Sequence, residues 1–271
     1  MTGVIPMRVG ALIPIRLASE RLPGKAIRSL AGRPVVHHLL ERVRATPGVD
    51  PTLIVVCTTT EASDDPLGPV VERAGGRVFR GDRDDLIARL ANAREAFDLD
   101  IALQVDGDDP LVDVGYMGRI LQVLQQDPSI DVAYVEGLPV GLAAKAIRAR
   151  AFDAVRAAYR TRENDTGFGY YFTRSGLCTV RKLIADREDQ GPELRVTLDY
   201  EEDLMVMEAL SRALGGTDPL FGASAIVRLS RADPVLFKPN AGRAEEYWKR
   251  TVAKVNLEFA RPDGQVGRIT A

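Results

Sequence analysis

From Val9 to Gln125 the chain alternates short, continuously apolar runs with stretches whose apolar residues recur at helical spacing. This alternation restricts the fold more than any other feature, because a strand apolar on both faces must be covered on both faces. Val9 to Ile15, Leu53 to Thr58, Arg77 to Phe79 and Ile101 to Val105 read as strands. Val35 to Thr46, Leu67 to Ala74, Leu86 to Phe97 and Gly115 to Gln125 read as helices. The first helix carries Val36, Leu39, Leu40 and Val43 on one face, and the third carries Leu86, Leu90, Ala93 and Phe97. The pattern predicts an α/β fold with a mostly parallel sheet between two helical layers. Ligands in such sheets bind beyond the carboxyl ends of the strands. The two most unusual loops, after Ile15 and after Val105, fall at those ends.

The second half is less regular. Asp131 to Glu136 reads as a strand, Ala151 to Tyr159 as a helix, Thr197 to Asp199 as the end of a strand and Glu202 to Leu214 as a helix. Asp218 to Ala271 reads as Pro- and Gly-broken chain around one helix, Ala244 to Val255. No repeat or low-complexity linker divides the 271 residues, so one domain over 1–271 is expected. Net charge is only −2, which gives no general field for nucleic acid and leaves anion binding to a tailored site. No stretch approaches the roughly 18 apolar residues of a membrane span. A cytoplasmic enzyme without membrane or nucleic-acid partners is therefore expected. Cys57 lies in an apolar run far from Cys178, so neither a disulfide nor a zinc site is expected. His37 and His38 fall in the first helix, where packing or capping suits them better than catalysis.

The segment from Pro14 to Lys25 concentrates Arg16, Arg21, Gly24 and Lys25 in one strand-to-helix connection. A nucleoside triphosphate carries about four negative charges, and nucleotidyl transfer develops more on the departing pyrophosphate. Arg16, Arg21 and Lys25 can meet that charge with charge-assisted hydrogen bonds, and loop N–H groups can add a neutral cradle. Gly24 admits positive φ and Pro23 stiffens the turn. Charge content alone also fits a solvated basic turn. Further along, Asp106, Asp108 and Asp109 follow the strand that ends at Val105. Such hard oxygen ligands suit Mg²⁺, which takes one or two carboxylates and completes its shell with water and phosphate oxygens. An Asp/Gly turn after a strand is equally common as plain loop.

Pro14-x-Arg16-x-x-Ser19-x-Arg21-Leu22-Pro23-Gly24-Lys25, followed by Leu30 to Pro34, resembles the opening of the CMP-Kdo synthetase and spore-coat polysaccharide cytidylyltransferase families. Ile15, Glu20 and Arg33 depart from the usual Ala, Thr and Lys. Gln104 to Leu111 resembles the QGDxPL element, which puts the family's metal-binding Asp on Asp108 and leaves Asp106 in the variable position. Arg195 to Leu204 resembles a second element, R-x-TvDtPEDL, which puts a second metal ligand on Asp199 and makes Asp203 an early-helix acid. Val56 to Thr60 with Asp64 to Leu67, and Gly76 to Leu86, resemble segments lining the nucleotide side.

The resemblance implies a three-layer α/β/α, Rossmann-like nucleotide-diphospho-sugar transferase fold. It implies a nucleotide-binding half over about 8–130, an acceptor-binding and dimerisation half over about 131–217, and an unmatched C-terminal extension over 218–271. The expected activity is Mg²⁺-dependent transfer of CMP from CTP to an anionic acceptor, a 2-keto-3-deoxy sugar acid or small phosphonate, with release of pyrophosphate by a homodimer. Another NTP as donor, or glycosyl transfer from a sugar nucleotide, stays open. Arg16, Lys25 and Asp108 are the expected catalytic residues. Pro14, Ser19, Arg21, Gly24, Thr59, Arg80, Gly81 and Asp106 join Arg16 and Lys25 on the nucleotide. Asp108 and Asp199 are the expected metal ligands. Asn164, Asp165, Tyr170 and Arg195 are the expected acceptor contacts. Asp64 and Asp65 read as a nucleotide-side element or as a helix N-cap. In the extension, Lys238 to Asn240 and the pair Tyr247–Trp248 either cover the active site or form a dimer contact.

Overall fold

The first strand, β1 (Val9–Pro14), is buried from Val9 to Ile13, with alternate side chains entering different cores. The computed structural model describes residues 7–271. After β1 come a small hairpin, β2 (Ser29–Leu30) and β3 (Arg33–Pro34), and then α1 (Val35–Ala45), β4 (Ile54–Thr59) and α2 (Leu67–Arg73). They are followed by β5 (Arg77–Gly81), α3 (Leu86–Ala96), β6 (Ile101–Gln104), α4 (Val114–Gln126) and β7 (Val132–Glu136). β8 (Lys145–Arg148), α5 (Ala149–Ala158), α6 (Gly169–Thr173), β9 (Val180–Ile184) and α7 (Glu201–Leu214) complete the next portion. The chain continues through α8 (Ala223–Ala232), α9 (Arg243–Lys254) and a terminal hairpin, β10 (Asn256–Ala260) and β11 (Val266–Thr270).

Seven strands form the central sheet in the order β5-β4-β1-β6-β8-β7-β9. Pairing is parallel among β5, β4, β1 and β6 and between β7 and β9, while β8 runs antiparallel to both its neighbours. Ala11 and Ile13 point into a core with α1, α2 and α4, whereas Leu12 joins Cys57, α3, α5 and the terminal hairpin on the other face. This is the expected three-layer α/β/α arrangement, and the first-half elements lie within a residue or two of their expected bounds. Burial pushes the Cys57 thiol up to about 12, as suits an inert packing residue. Among the described residues no helix is long and apolar enough to cross a membrane.

The second half departs from expectation. Thr197 to Asp199 is not a strand: Leu198 N donates to Asp108 O (2.8 Å), which lays the segment against the acid loop rather than into the sheet. β8 and β9 escaped notice because Lys145–Arg148 and Val180–Ile184 mix charged with apolar residues, as an antiparallel or edge strand allows. The region from 218 onwards holds α8, α9 and a hairpin rather than one helix. α7 and α8 enclose a third core with Leu22, Leu138 and Leu198, which joins the extension to the body of the protein.

The exit loops of β1 and β6 are packed backbone to backbone. A Cβ at Gly107 would lie 2.3 Å from Ile15 Cγ1 and 2.5 Å from the Pro14 carbonyl oxygen, so only glycine lets the acid loop pass beneath the end of β1. Gly107→Ala is expected to destabilise the protein by about 1–3 kcal/mol, measured by urea denaturation, because the Pro14 carbonyl cannot yield without moving the end of β1.

Candidate active site

A cleft of about 480 Å³ opens beyond the carboxyl ends of β1 and β6. Pro14, Arg16, Ser19, Arg21 and Lys25 line one side and Asp106, Gly107 and Asp108 the floor. Tyr134, Lys145, Asp165, Tyr170 and Arg174 line the far side, and Tyr247 and Arg250 of α9 lie over it.

The loop between β1 and the hairpin is folded by its own contacts. Gly24 adopts φ +67°, its N–H donates to the Leu17 carbonyl (2.9 Å), and Ser19 Oγ accepts from Leu22 N (3.3 Å). Asp64, 1% exposed, braces the loop from outside by accepting from Leu17 N (2.7 Å) and from the Thr59 hydroxyl. Asp64 is therefore a strut for this loop and not the cap of α2.

The centre of the site is one ammonium between two carboxylates. Lys25 Nζ donates to Asp108 Oδ2 (2.8 Å) and to Asp199 Oδ1 (2.9 Å). Asp199 is 1% exposed and takes two further cations, Arg21 on Oδ1 and Arg195 Nη2 on Oδ2 (2.8 Å). Burial works against ionisation of Asp199, but Lys25 and Arg21 overcome it and hold the carboxyl well below its usual range. Asp108 differs. Burial, with the charges of Asp199 and Asp106, raises it despite Lys25. Lys25 is also raised, because Asp108 and Asp199 outweigh the cost of burying it. Beside them Asp109 has a buried Oδ1 without a partner, and burial together with Asp108 and Asp106 pushes it well above the carboxylate range.

No cluster of three or more His, Cys, Asp or Glu side chains forms a metal cage among the described residues. The residues present nevertheless fit Mg²⁺, which needs few protein ligands when phosphate oxygens complete its shell. Asp108 and Asp199 already converge on a single cationic position, held here by Lys25.

Several expected contacts lie elsewhere. Thr59, Arg80 and Gly81 do not line the cleft: Thr59 is 1% exposed and bonded to Asp64, and Arg80 pairs with Asp65 (2.7 Å). Asn164 is fully buried and ties its segment to the start of α3, accepting from Ile87 N (3.1 Å) and donating to Asp85 Oδ1 (3.0 Å). Arg195 is 3% exposed and spent on Asp199 and Asp203, so it positions Asp199 rather than meeting an acceptor. Asp203 accepts from Asp199 N (2.9 Å) and Tyr200 N (3.0 Å), the early-helix role expected of it. Asp165 and Tyr170 do face the cleft, where Asp165 accepts from Arg16 Nη2 (2.6 Å) and Tyr170 lies under the Arg174 guanidinium (3.8 Å). His37 and His38 bond backbone carbonyls of Val70 and Leu30 instead.

One cleft residue lies outside the expected set. Arg89 of α3 is 1% exposed, lines the cleft and has no carboxylate within ion-pair distance among the described residues. Its Nη1 reaches only the Asp82 carbonyl (3.1 Å), its Nε has no partner, and burial lowers its pKa. The signal was an arginine on the otherwise apolar inner face of α3.

A parallel sheet ending in a cationic loop and an acidic loop around one cleft defines an enzyme of the nucleotidyltransferase class. The family model described as cytidylyltransferase matches residues 10–175, and the chain belongs to that family. Among similar proteins, the spore coat polysaccharide biosynthesis protein SpsF of Bacillus subtilis is 28% identical over 82% of this chain and 94% of its own length. The 3-deoxy-manno-octulosonate cytidylyltransferase of Geobacter sulfurreducens is 30% identical over 68% of this chain and 69% of its own. A cytidylyltransferase from Leptospira borgpetersenii shares the fold with a TM-score of 0.77 at 22% identity, over 86% of this chain and 97% of that one.

The two carboxylates should respond oppositely to neutralisation. Asp199→Asn at pH 7 is expected to cost about 3–5 kcal/mol, because it leaves buried cations unpaired. Asp108→Asn is expected to melt at or above the wild type. The depressed carboxyl of Asp199 stabilises the fold above its unfolded pKa, near 4, and that contribution is lost as pH falls below it. Thermal melts from pH 7 to 2 should therefore show a shallower acid limb for Asp199→Asn than for the wild type.

Proposed function

We propose that this protein transfers CMP from CTP to a small anionic acceptor, a 2-keto-3-deoxy sugar acid or small phosphonate, with Mg²⁺ and with release of pyrophosphate. The observation that carries the reading is the Lys25 ammonium held between Asp108 and Asp199 at the floor of the cleft. Cations for a triphosphate and carboxylates for a divalent ion meet there at one point. Asp108 and Asp199 are the residues that would hold Mg²⁺, which when bound supplies positive charge at the phosphates. Arg16 and Lys25 stabilise the charge that moves onto the pyrophosphate, while Arg21, Ser19 and Gly24 keep the loop in shape. An acceptor oxygen, a sugar-acid hydroxyl that gives up its proton or a phosphonate oxygen, attacks the α-phosphate in line as the bond from that phosphorus to the pyrophosphate oxygen breaks.

Arg89 replaces Thr59, Arg80 and Gly81 as the proposed reader of the nucleotide. A buried guanidinium with unused donors suits the oxygens of a pyrimidine or ribose better than it suits an empty cleft. An anionic acceptor is favoured by Lys145 and Arg174, which line the far side without a carboxylate partner among the described residues. Lys145 reaches only Gln104 Oε1 (3.3 Å). The homodimer belongs to the same proposal: β9 is an open sheet edge with Ile184 56% exposed, and sedimentation should return twice the chain mass.

Pyrophosphate release should appear with CTP, Mg²⁺ and one member of a panel of sugar acids and phosphonates. CTP should raise the melting temperature more than UTP, GTP or ATP. Preferential stabilisation by another nucleotide would reassign the donor, and the absence of both CTP binding and turnover would end the proposal. Asp108→Ala should lose at least about 100-fold in kcat while remaining folded. Arg89→Gln should weaken CTP binding by about 10- to 100-fold and leave tripolyphosphate binding unchanged.

A further inference from the structure

Beyond the span matched by the family model, the chain returns to the cleft. α9 crosses its mouth and is clamped on both sides. Arg250 Nη2 donates to Glu20 Oε2 of the triphosphate loop (2.8 Å), and Arg243 Nη2 donates to Glu202 Oε1 at the start of α7 (2.7 Å). Between the clamps Tyr247 is half-buried and lines the cleft, while Trp248 and Val252 face outward, 49% and 60% exposed. The Tyr247 ring lies 5.1 Å from the guanidinium of Arg195, the group that holds Asp199 Oδ2 at 2.8 Å. The phenol thus belongs to the same enclosure as Asp108 and Asp199. Burial, followed by the charges of Asp108, Asp106 and Asp199, pushes its pKa up, so it stays protonated and acts as a donor, not a base.

We propose that Tyr247, supplied by a helix outside the matched family region, donates its phenol O–H to a non-bridging oxygen of the phosphoryl group being transferred. The proposal rests on the cytidylyl-transfer reading of this cleft. The groups that meet at Lys25, Asp108 and Asp199 are themselves all charged, either cations that the carboxylates share or carboxylates that repel phosphate. A neutral donor on the roof can meet charge that grows on the phosphoryl oxygens without bringing a second negative group close to them. Held at both ends of α9, the donor is in place before the reaction begins.

The test is pyrophosphate release from Mg²⁺–CTP by Tyr247→Phe, which keeps the ring on Arg195 and removes only the hydroxyl. A productive acceptor from the panel is used, or water as a slow acceptor in its place. The melting temperature should match that of the wild type. We expect kcat to fall about 10- to 100-fold with the CTP KM within about threefold, the mark of a contact strengthened in the transition state. The two diastereomers of the α-thio analogue of CTP supply a readout that a structural role would not move. The loss caused by Tyr247→Phe should shrink for the diastereomer whose sulfur replaces the contacted oxygen and persist for the other. A wild-type kcat in Tyr247→Phe, or equal losses with CTP and both diastereomers, would overturn the assignment and leave the cytidylyl-transfer reading standing. A wild-type enzyme that neither binds nor turns over CTP would remove both.

Discussion

One ammonium group ties together three segments that are far apart in the chain. Lys25 belongs to the loop after β1, Asp108 to the loop after β6 and Asp199 to the approach to α7, and all three meet within hydrogen-bond distance. Burying charge is costly unless each ion is paired and hydrogen-bonded. Asp199 meets that condition with three cations and Lys25 with two carboxylates. The geometry of the cleft follows from this arrangement: the cationic loop cannot drift from the acid loop without uncovering a buried charge. Gly107 removes the remaining slack by allowing the two backbones to touch.

The division of labour between the carboxylates is electrostatic. Asp199 is enclosed and over-supplied with positive charge, so its ionised state is bound into the fold. Asp108 keeps 29% of its side-chain surface open and shares its surroundings with Asp106 and Asp109, so its charge is held less firmly. An incoming phosphate group therefore finds one carboxylate fixed as scaffold and another whose electrostatic state is open to adjustment. Preorganised charge of this kind is the usual means by which proteins favour phosphoryl transfer.

The layered architecture was legible because it rests on side-chain periodicity, which is local. The loop from Pro14 to Lys25 and the acids at 106–109 were legible as a chemical set through the family resemblance, since their charge alone fits ordinary turns equally well. What the sequence did not reveal is which polar groups are consumed by neighbours. Arg195 looked free to bind an acceptor, yet it faces Asp199 and Asp203, four and eight positions further along the chain. Asn164 looked like a pocket residue, yet its partner Asp85 lies 79 positions away. Thr59 was directed to the nucleotide, yet Asp64 claims its hydroxyl in order to steady Leu17. Arg89 is the converse case: its place on the apolar face of α3 hints at burial, but only packing shows that it is buried without an acid. Local pattern fixes what each element is, while the satisfaction of polar groups depends on the finished tertiary structure.

The extension also changes when the support behind Asp199 becomes complete. Asn240, 2% exposed, donates to Asp203 Oδ1 (2.9 Å) and to the Arg195 carbonyl (3.0 Å), and so closes the network behind Asp199. A ribosome delivers that asparagine well after the cationic loop, the acid loop and Asp199 itself have emerged. A nascent chain holding the whole sheet already has Arg195 on both Asp203 oxygens, but lacks the asparagine that adds a second donor to Oδ1 and ties down the Arg195 carbonyl. Order of synthesis thus separates the making of the sheet from the finishing of the support behind Asp199.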